Sequence, residues 1–575
     1  MRQSYRDLLD KYIYQTAVFL LIWITGIVAI TAVLFLFGIS ITVCNVLFPL
    51  IGSCIWIFNI EENKKDCCNI IITAILFAIF FALISGMSYD KTWDGAAYHK
   101  QAVGLLKEGW NPVYMDAAYY NSISDSIPDG IARIAASPLL WAETYPKASW
   151  YLGASVYYIT GNIETGKIYN FLSMFILFGL SYHLFYLSTQ KVRTSITVAV
   201  LMACNPILLA QIQSFYVDGF AGCILLAVIL ELSYIMSNKT STTENAVLFS
   251  LMILGCNLKF SITAFTALFF IIYYLFYVTI HRHEFRLLVD KFMKLAGAAF
   301  FSIVIVGFAP YITNCIRYGE ILAGYSSMDL SDNAINQYFG IQGINRIQRS
   351  LYSLFGRMSH GEYAANEILK IPFTFTSREL DNYYIVDLRV SAFGMFFSGI
   401  FIVSLIVIAV WIFKKHKTFT NGEILLLIFS GITFIELFAF TTSYQMRYVP
   451  HLYMIPVLAF LIITCQNKYQ VKLRHHMFSI IFLLLTLLNI TPWIKAGVQR
   501  QYEGIKIREE LQSLAKISEE TENTYIAFWS YDFNGIHYNL KDNGIEHYNF
   551  SDQSEMQNMD NFQSIYGNWI MYSCQ

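Results

Sequence analysis

Apolar residues along this chain come in blocks of about 20, each long enough to cross the roughly 30 Å hydrocarbon core of a bilayer as a helix. The pattern predicts thirteen spans, at 17–37, 40–59, 69–88, 168–187, 194–211, 219–236, 244–257, 261–280, 295–312, 391–413, 422–441, 449–465 and 477–494. Most polar connections between them are short. Three are long, at about 89–167, 313–390 and 495–575, and connections of that length normally carry structure or function of their own. In the first, Ala97, Ala102, Leu105 and Leu106 recur at helical spacing between Gly95 and Glu108. Ile131 to Trp141 reads as an amphipathic helix lying on the membrane surface. The last opens on a polar helical pattern from Tyr502 to Glu519 and runs into a strand-like stretch, Tyr525 to Trp529. The expected fold class is therefore an all-α polytopic membrane domain over 1–494 followed by a small α/β appendage over 495–575.

Composition agrees and sets the orientation. Of 575 residues, 56% are hydrophobic and only 14% charged, against about 25% charged in an ordinary globular chain. With 39 Lys+Arg against 40 Asp+Glu there is no basic excess to attract nucleic acid. Basic residues collect in alternate short connections: Arg2, Arg6 and Lys11; Lys64 and Lys65; Lys191 and Arg193; Arg282, Arg286, Lys291 and Lys294; Lys414, Lys415 and Lys417; Lys468, Lys472 and Arg474. By the positive-inside rule this side is cytoplasmic, which puts the N-terminus inside, and the three long segments and the C-terminus outside. The first apolar block, near Val18 to Leu36, is too long for a signal-peptide core and is expected to remain as an anchor. The ten cysteines form no disulfide or zinc pattern: five lie inside apolar blocks, Cys67 and Cys68 face the reducing side, and Cys315 and Cys574 fall outside.

Chemistry concentrates after the third span, in Ser88-Tyr-Asp90-Lys-Thr-Trp93-Asp94-Gly-Ala-Ala-Tyr98-His99. Two carboxylates stand four residues apart at the outer interface, with Trp93 and Tyr98 suited to the headgroup zone. Asp94 could cap the helix that follows, where unpaired N–H groups favour a carboxylate. It could equally be a general base, since an ionised aspartate in a partly dehydrated cleft can take a proton from a hydroxyl or amine.

This block resembles the first outer loop of the GT-C fold, the polyprenyl-phosphate-sugar-dependent membrane glycosyltransferases that include protein O-mannosyltransferases and lipid A aminoarabinose transferases. Further matches follow in family order. Glu143-Thr-Tyr145-Pro146-Lys147-Ala-Ser-Trp resembles the segment ahead of the fourth span. Asn205-Pro206 and Ser214-Phe-Tyr216-Val-Asp218-Gly219 resemble the second outer loop with its acidic residue. Asn257-Leu-Lys259-Phe-Ser261 resembles the short loop with a basic residue, and Met446-Arg447-Tyr448-Val-Pro450, with Pro456 beyond, the start of a late span. The likeness extends over about 90–456 and leaves the appendage uncovered.

The resemblance implies an inverting transferase that moves a sugar from a polyprenyl-phosphate carrier to a glycan, lipid or protein acceptor, in a bacterial inner membrane. Asp94 would be the base, with Asp90 as fallback, while Lys259 and Arg447 would hold the carrier phosphate. Their plain alternative is snorkelling toward lipid headgroups. Asp218 could cap its helix, orient the acceptor, or share a divalent cation with Asp94; two carboxylates with Glu143 are few oxygens for such a cation. Tyr98, His99, Glu143, Tyr145 and Lys147 would line the substrate cleft, although His99 suits a structural role and Tyr145-Pro146 a turn. The 313–390 segment would cover the site as a lid. His281, His283 and Glu284 fall on the basic side and read as a solvated face. No P-loop, H-E-x-x-H or G-x-S-x-G is present. A polysaccharide polymerase, using Arg346, Arg349, Arg357 and His360, and a lipid-linked sugar transporter are the competing readings.

Overall fold

The computed structural model describes residues 2–124, 127–128, 130–131, 136–238, 240–324, 344–360, 368–415, 418–439, 442, 444–465 and 473–574. Among them, eight helices are long and apolar enough to cross a membrane. A ninth candidate is a pair, Phe285–Val306 and Phe308–Tyr318, bent by 74°. Shorter apolar helices at Cys44–Ile60, Val192–Ala203 and Pro450–Thr464 accompany them. The expected 295–312 span is thus not one straight rod. Gly307 interrupts it, and Ala309, at φ −100° and ψ 112°, takes the extended backbone favoured ahead of a proline, here Pro310. The Asp218–Ser237 helix is the most enclosed of the spanning candidates, with 94% of its apolar window buried.

The last expected span also departs from its predicted end. One helix runs from Leu473 to Glu520, 48 residues, or about 70 Å at 1.5 Å per residue. It therefore passes through the 494/495 boundary and absorbs the polar helical pattern that follows. Pro492 lies inside the helix just before that point and does not end it. This rod carries the appendage, a four-stranded sheet of β1 (Thr524–Phe528), β2 (Asn549–Phe550), β3 (Gln563–Ile565) and β4 (Ile570–Cys574) in the order β2-β1-β4-β3. Only the β1–β2 pair is parallel.

The appendage folds back onto the segment after the third span. Tyr157 and the Ile163 backbone N–H each donate to Asp542 at 2.6 Å, and Lys100 donates to Asn539 at 2.8 Å. Tyr538 lies so close to Gly104 that a Cβ there would sit 2.1 Å from its ring. One continuous apolar core joins the spans, this segment and the appendage. Of the expected surface helix Ile131–Trp141, residues 132–135 lie outside the described residues; a helix is described over Ala136–Thr144. Residues 325–343 and 361–367 of the expected lid also lie outside them.

Candidate active site

The loop that follows the Lys64–Gly86 helix is held from below by buried charge. Glu164 lies between Lys100, at 2.7 Å, and Lys167, and all three side chains are fully buried. The Asp90 backbone N–H donates to Glu164 at 3.1 Å, while Lys100 donates to the Asp90 carbonyl at 2.7 Å. The Asp90 carboxylate in turn accepts from the Thr92 hydroxyl and N–H and, at 2.6 Å, from the Phe215 N–H. Its oxygens are occupied in tying two loops together. Gly95 is required here: a Cβ would lie 2.0 Å from an Asp90 carboxylate oxygen.

Asp94 is released from that scaffold. It has helical backbone angles and makes no capping hydrogen bond to the helical turns after it. Its carboxylate instead meets Arg447 Nη1 at 3.2 Å. The same guanidinium lies 3.6 Å from Asp218 and 3.0 Å from Asp387. Asp218 is not a cap either; it is the first residue of its helix, and its carboxylate meets Lys259 Nζ at 2.7 Å and accepts from Gln211 at 3.2 Å. Arg389 pairs with Asp387 at 2.6 Å. Three carboxylates and three basic groups thus form one nearly neutral cluster, which lets so much charge share a largely enclosed space. Tyr216 and Tyr448 pack on Arg447, and Lys259 lies 3.9 Å from the Tyr448 ring centre.

Two cavities meet at Asp94. A large one, of about 1230 Å³, reaches from Asp94, Asp387 and Arg447 to the appendage. A crevice of about 20 Å³ holds Asp218, Lys259 and His99. Asp94, Tyr98, Tyr145 and Tyr216 line both and form the wall between them. Burial, the largest influence, raises the Asp94 carboxyl above its ordinary range, although Arg447 opposes it. The carboxylates hold Arg447 firmly charged against its own burial.

Other expected cleft residues are held by structural partners, His99 while lining the crevice. His99 accepts from the Trp150 indole at 2.7 Å, and burial lowers its pKa to about 3, so it stays neutral. Lys147 turns inward to the carbonyls of Glu143 and Tyr145, and burial lowers its pKa to about 7. Glu143 pairs with Arg317 at 3.1 Å and accepts from Tyr318, away from Asp94. Of the residues named for a polymerase, only His360 lines the large cavity. Arg349 donates to the Ile344 carbonyl, and Arg346 to that of Ala439.

Asp387 and Arg389 are not conspicuous in the sequence, because they stand in a stretch without periodicity; their alternation, Asp387-Leu-Arg389 just before a span, is the one signal they carry. Among the described residues no group of three His, Cys, Asp or Glu side chains could hold a metal ion. The carboxylates at Asp94, Asp218 and Asp387 already face cations, so this donor set does not fit a divalent cation.

No protein-family model and no curated protein matches the chain. Among solved structures, it is similar to ArnT from Cupriavidus metallidurans bound to undecaprenyl phosphate, at 12% identity over 81% of this chain and 84% of that one, with a TM-score of 0.42. It is also similar to the archaeal oligosaccharyltransferase AglB from Archaeoglobus fulgidus in complex with an inhibitory peptide and a dolichol-phosphate, at 13% identity and a TM-score of 0.36. That match covers 82% of this chain, which spans 64% of the AglB length. Both likenesses are distant, and the chemistry of the site rests on its own residues.

Proposed function

We propose that the chain is an integral-membrane glycosyltransferase that moves a sugar from a polyprenyl-phosphate carrier to an acceptor on the extracytoplasmic face. The observation that carries this reading is the placement of Asp94, a carboxylate of raised proton affinity, in the wall between a large acceptor-sized cavity and a crevice containing Lys259. Asp94 takes the proton of the acceptor hydroxyl or amine. The acceptor atom bonds to the anomeric carbon as the bond from that carbon to the phosphate oxygen breaks, and the electron pair leaves with the phosphate. Attack opposite the leaving group inverts the anomeric centre.

Lys259 and Arg447 receive the carrier phosphate, Lys259 as a point charge and Arg447 through its planar fork of donors. Charge that develops on the leaving phosphate is then met by groups already in place. Phosphate binding also draws Arg447 from Asp94, so the base is freed as the donor arrives. Asp218 and Asp387 hold the two cations in position. No step requires a divalent cation.

The test is transfer in vesicles reconstituted with protein and polyprenyl-phosphate-linked sugar. The expected result is protein-dependent release of sugar-free polyprenyl phosphate with inverted product. Appearance of the intact lipid-linked sugar in the opposite leaflet, without cleavage, would instead establish transport.

A further inference from the structure

The far wall of the large cavity is aromatic and belongs to the appendage. Trp529, Phe533 and Trp569 line it, with ring centres 5.0 Å apart for Trp529 and Trp569 and 4.6 Å for Phe533 and Trp569. Trp529 remains 55% exposed on that wall. Trp569 is aimed by a costly turn: Tyr566, Gly567 and Asn568, between the paired ends of β3 and β4, all have left-handed φ values of 58°, 63° and 67°. Two of the three are not glycine, and side-chain-bearing residues rarely adopt that region. Such strain persists where surrounding structure over-determines it, commonly at binding sites. Here Tyr566 is fully buried, with its hydroxyl on Asn539 and the Asp90 carbonyl.

Beside the rings, the long helix adds Ile507 and the polar Gln499, Arg500 and Glu503, with Lys91 against Glu503 at 3.5 Å. The exposed Trp529 ring and the partly exposed Trp569 ring, backed by the buried Phe533, stand beside planar donors and acceptors and match one ligand chemistry closely. A pyranose ring has an apolar C–H face, which packs on an aromatic face through its negative quadrupole, and a rim of hydroxyls for amide, guanidinium and carboxylate groups. A lipid acyl chain has no use for the polar groups, and the volume exceeds the roughly 300–1,000 Å³ of a small-molecule site, so that several rings fit.

Resting on the transferase reading, we infer that Trp529 and Trp569 form the acceptor subsite and that the acceptor is a saccharide, stacked there so that one hydroxyl reaches Asp94. The appendage is then the specificity element of the enzyme.

The test is a tryptophan-fluorescence titration of the full-length protein in nanodiscs with water-soluble tetrasaccharides of glucose, mannose and N-acetylglucosamine. A saturable change with at least one of them is expected. Trp529→Ala should weaken it about 3- to 10-fold, as expected for loss of one stacked ring, and Asp94→Asn should leave it in place. Trp529→Phe, which keeps an aromatic face, should bind more tightly than Trp529→Ala. No response across the panel, or equal affinity in Trp529→Ala and wild type, would overturn the acceptor assignment. Binding is read without turnover, so failure of the base assignment at Asp94 would appear separately, in transfer.

Discussion

Asp94 and Arg447, 353 residues apart in the chain, meet at 3.2 Å on the border of two cavities. Burial raises the carboxyl above the ordinary range and the guanidinium pulls it back. A base must be ionised, so the acid side of the kcat/KM profile should lie above the value of about 4 at which a free aspartate titrates. Arg447→Gln removes the opposing cation, so the Asp94 pKa should rise further. The acid limb should then move to higher pH by about one to three units, beyond any overall loss of rate. An unmoved limb would mean that another group sets it.

Lys259 bonds Asp218 at 2.7 Å yet keeps a quarter of its side chain exposed, which leaves donors for a phosphate. Lys259→Gln should weaken retention of polyprenyl phosphate about tenfold or more, because a charge-assisted hydrogen bond contributes roughly 1.5–3 kcal/mol. Direct measurement of bound lipid checks this. Retention equal to wild type would leave Lys259 as a partner of Asp218 alone.

Glu164, between two fully buried lysines, positions the Asp90–Asp94 loop without touching either cavity. Glu164→Gln strands buried ammonium charge, a loss of about 3–5 kcal/mol. Folded yield and melting temperature should fall together. Adding Lys167→Met, which removes one stranded charge, should recover part of both. Intact thermal stability in the single variant would show that the buried cluster is dispensable.

Much of this arrangement was legible in the chain because membrane-spanning segments punish charge. Asp94, Asp218, Lys259 and Arg447 stood out as ionisable groups at span ends, and they occupy one cluster in the fold. Asp387 and Arg389 did not stand out, since a long polar stretch hides two more charges. Glu143 and Lys147 show the converse difficulty: they share the Tyr145-Pro146 motif, but the turn directs Lys147 onto backbone carbonyls and Glu143 onto Arg317. Periodicity marked both halves of the Leu473–Glu520 helix, but the change from apolar to polar composition suggested a boundary where the backbone has none. The aromatic shelf could not be read at all, because Trp529 and Trp569 are 40 residues apart and meet only through the β1–β4 pairing.

The most direct test of the account is the rate of sugar transfer by Asp94→Asn in reconstituted vesicles, measured beside its retention of polyprenyl phosphate. The substitution keeps the side chain's shape and removes its ability to accept a proton. Transfer should fall by at least about 100-fold, the lower range for loss of a general base, while lipid retention stays near that of wild type. Transfer at the wild-type rate would contradict the assignment of Asp94 as the base.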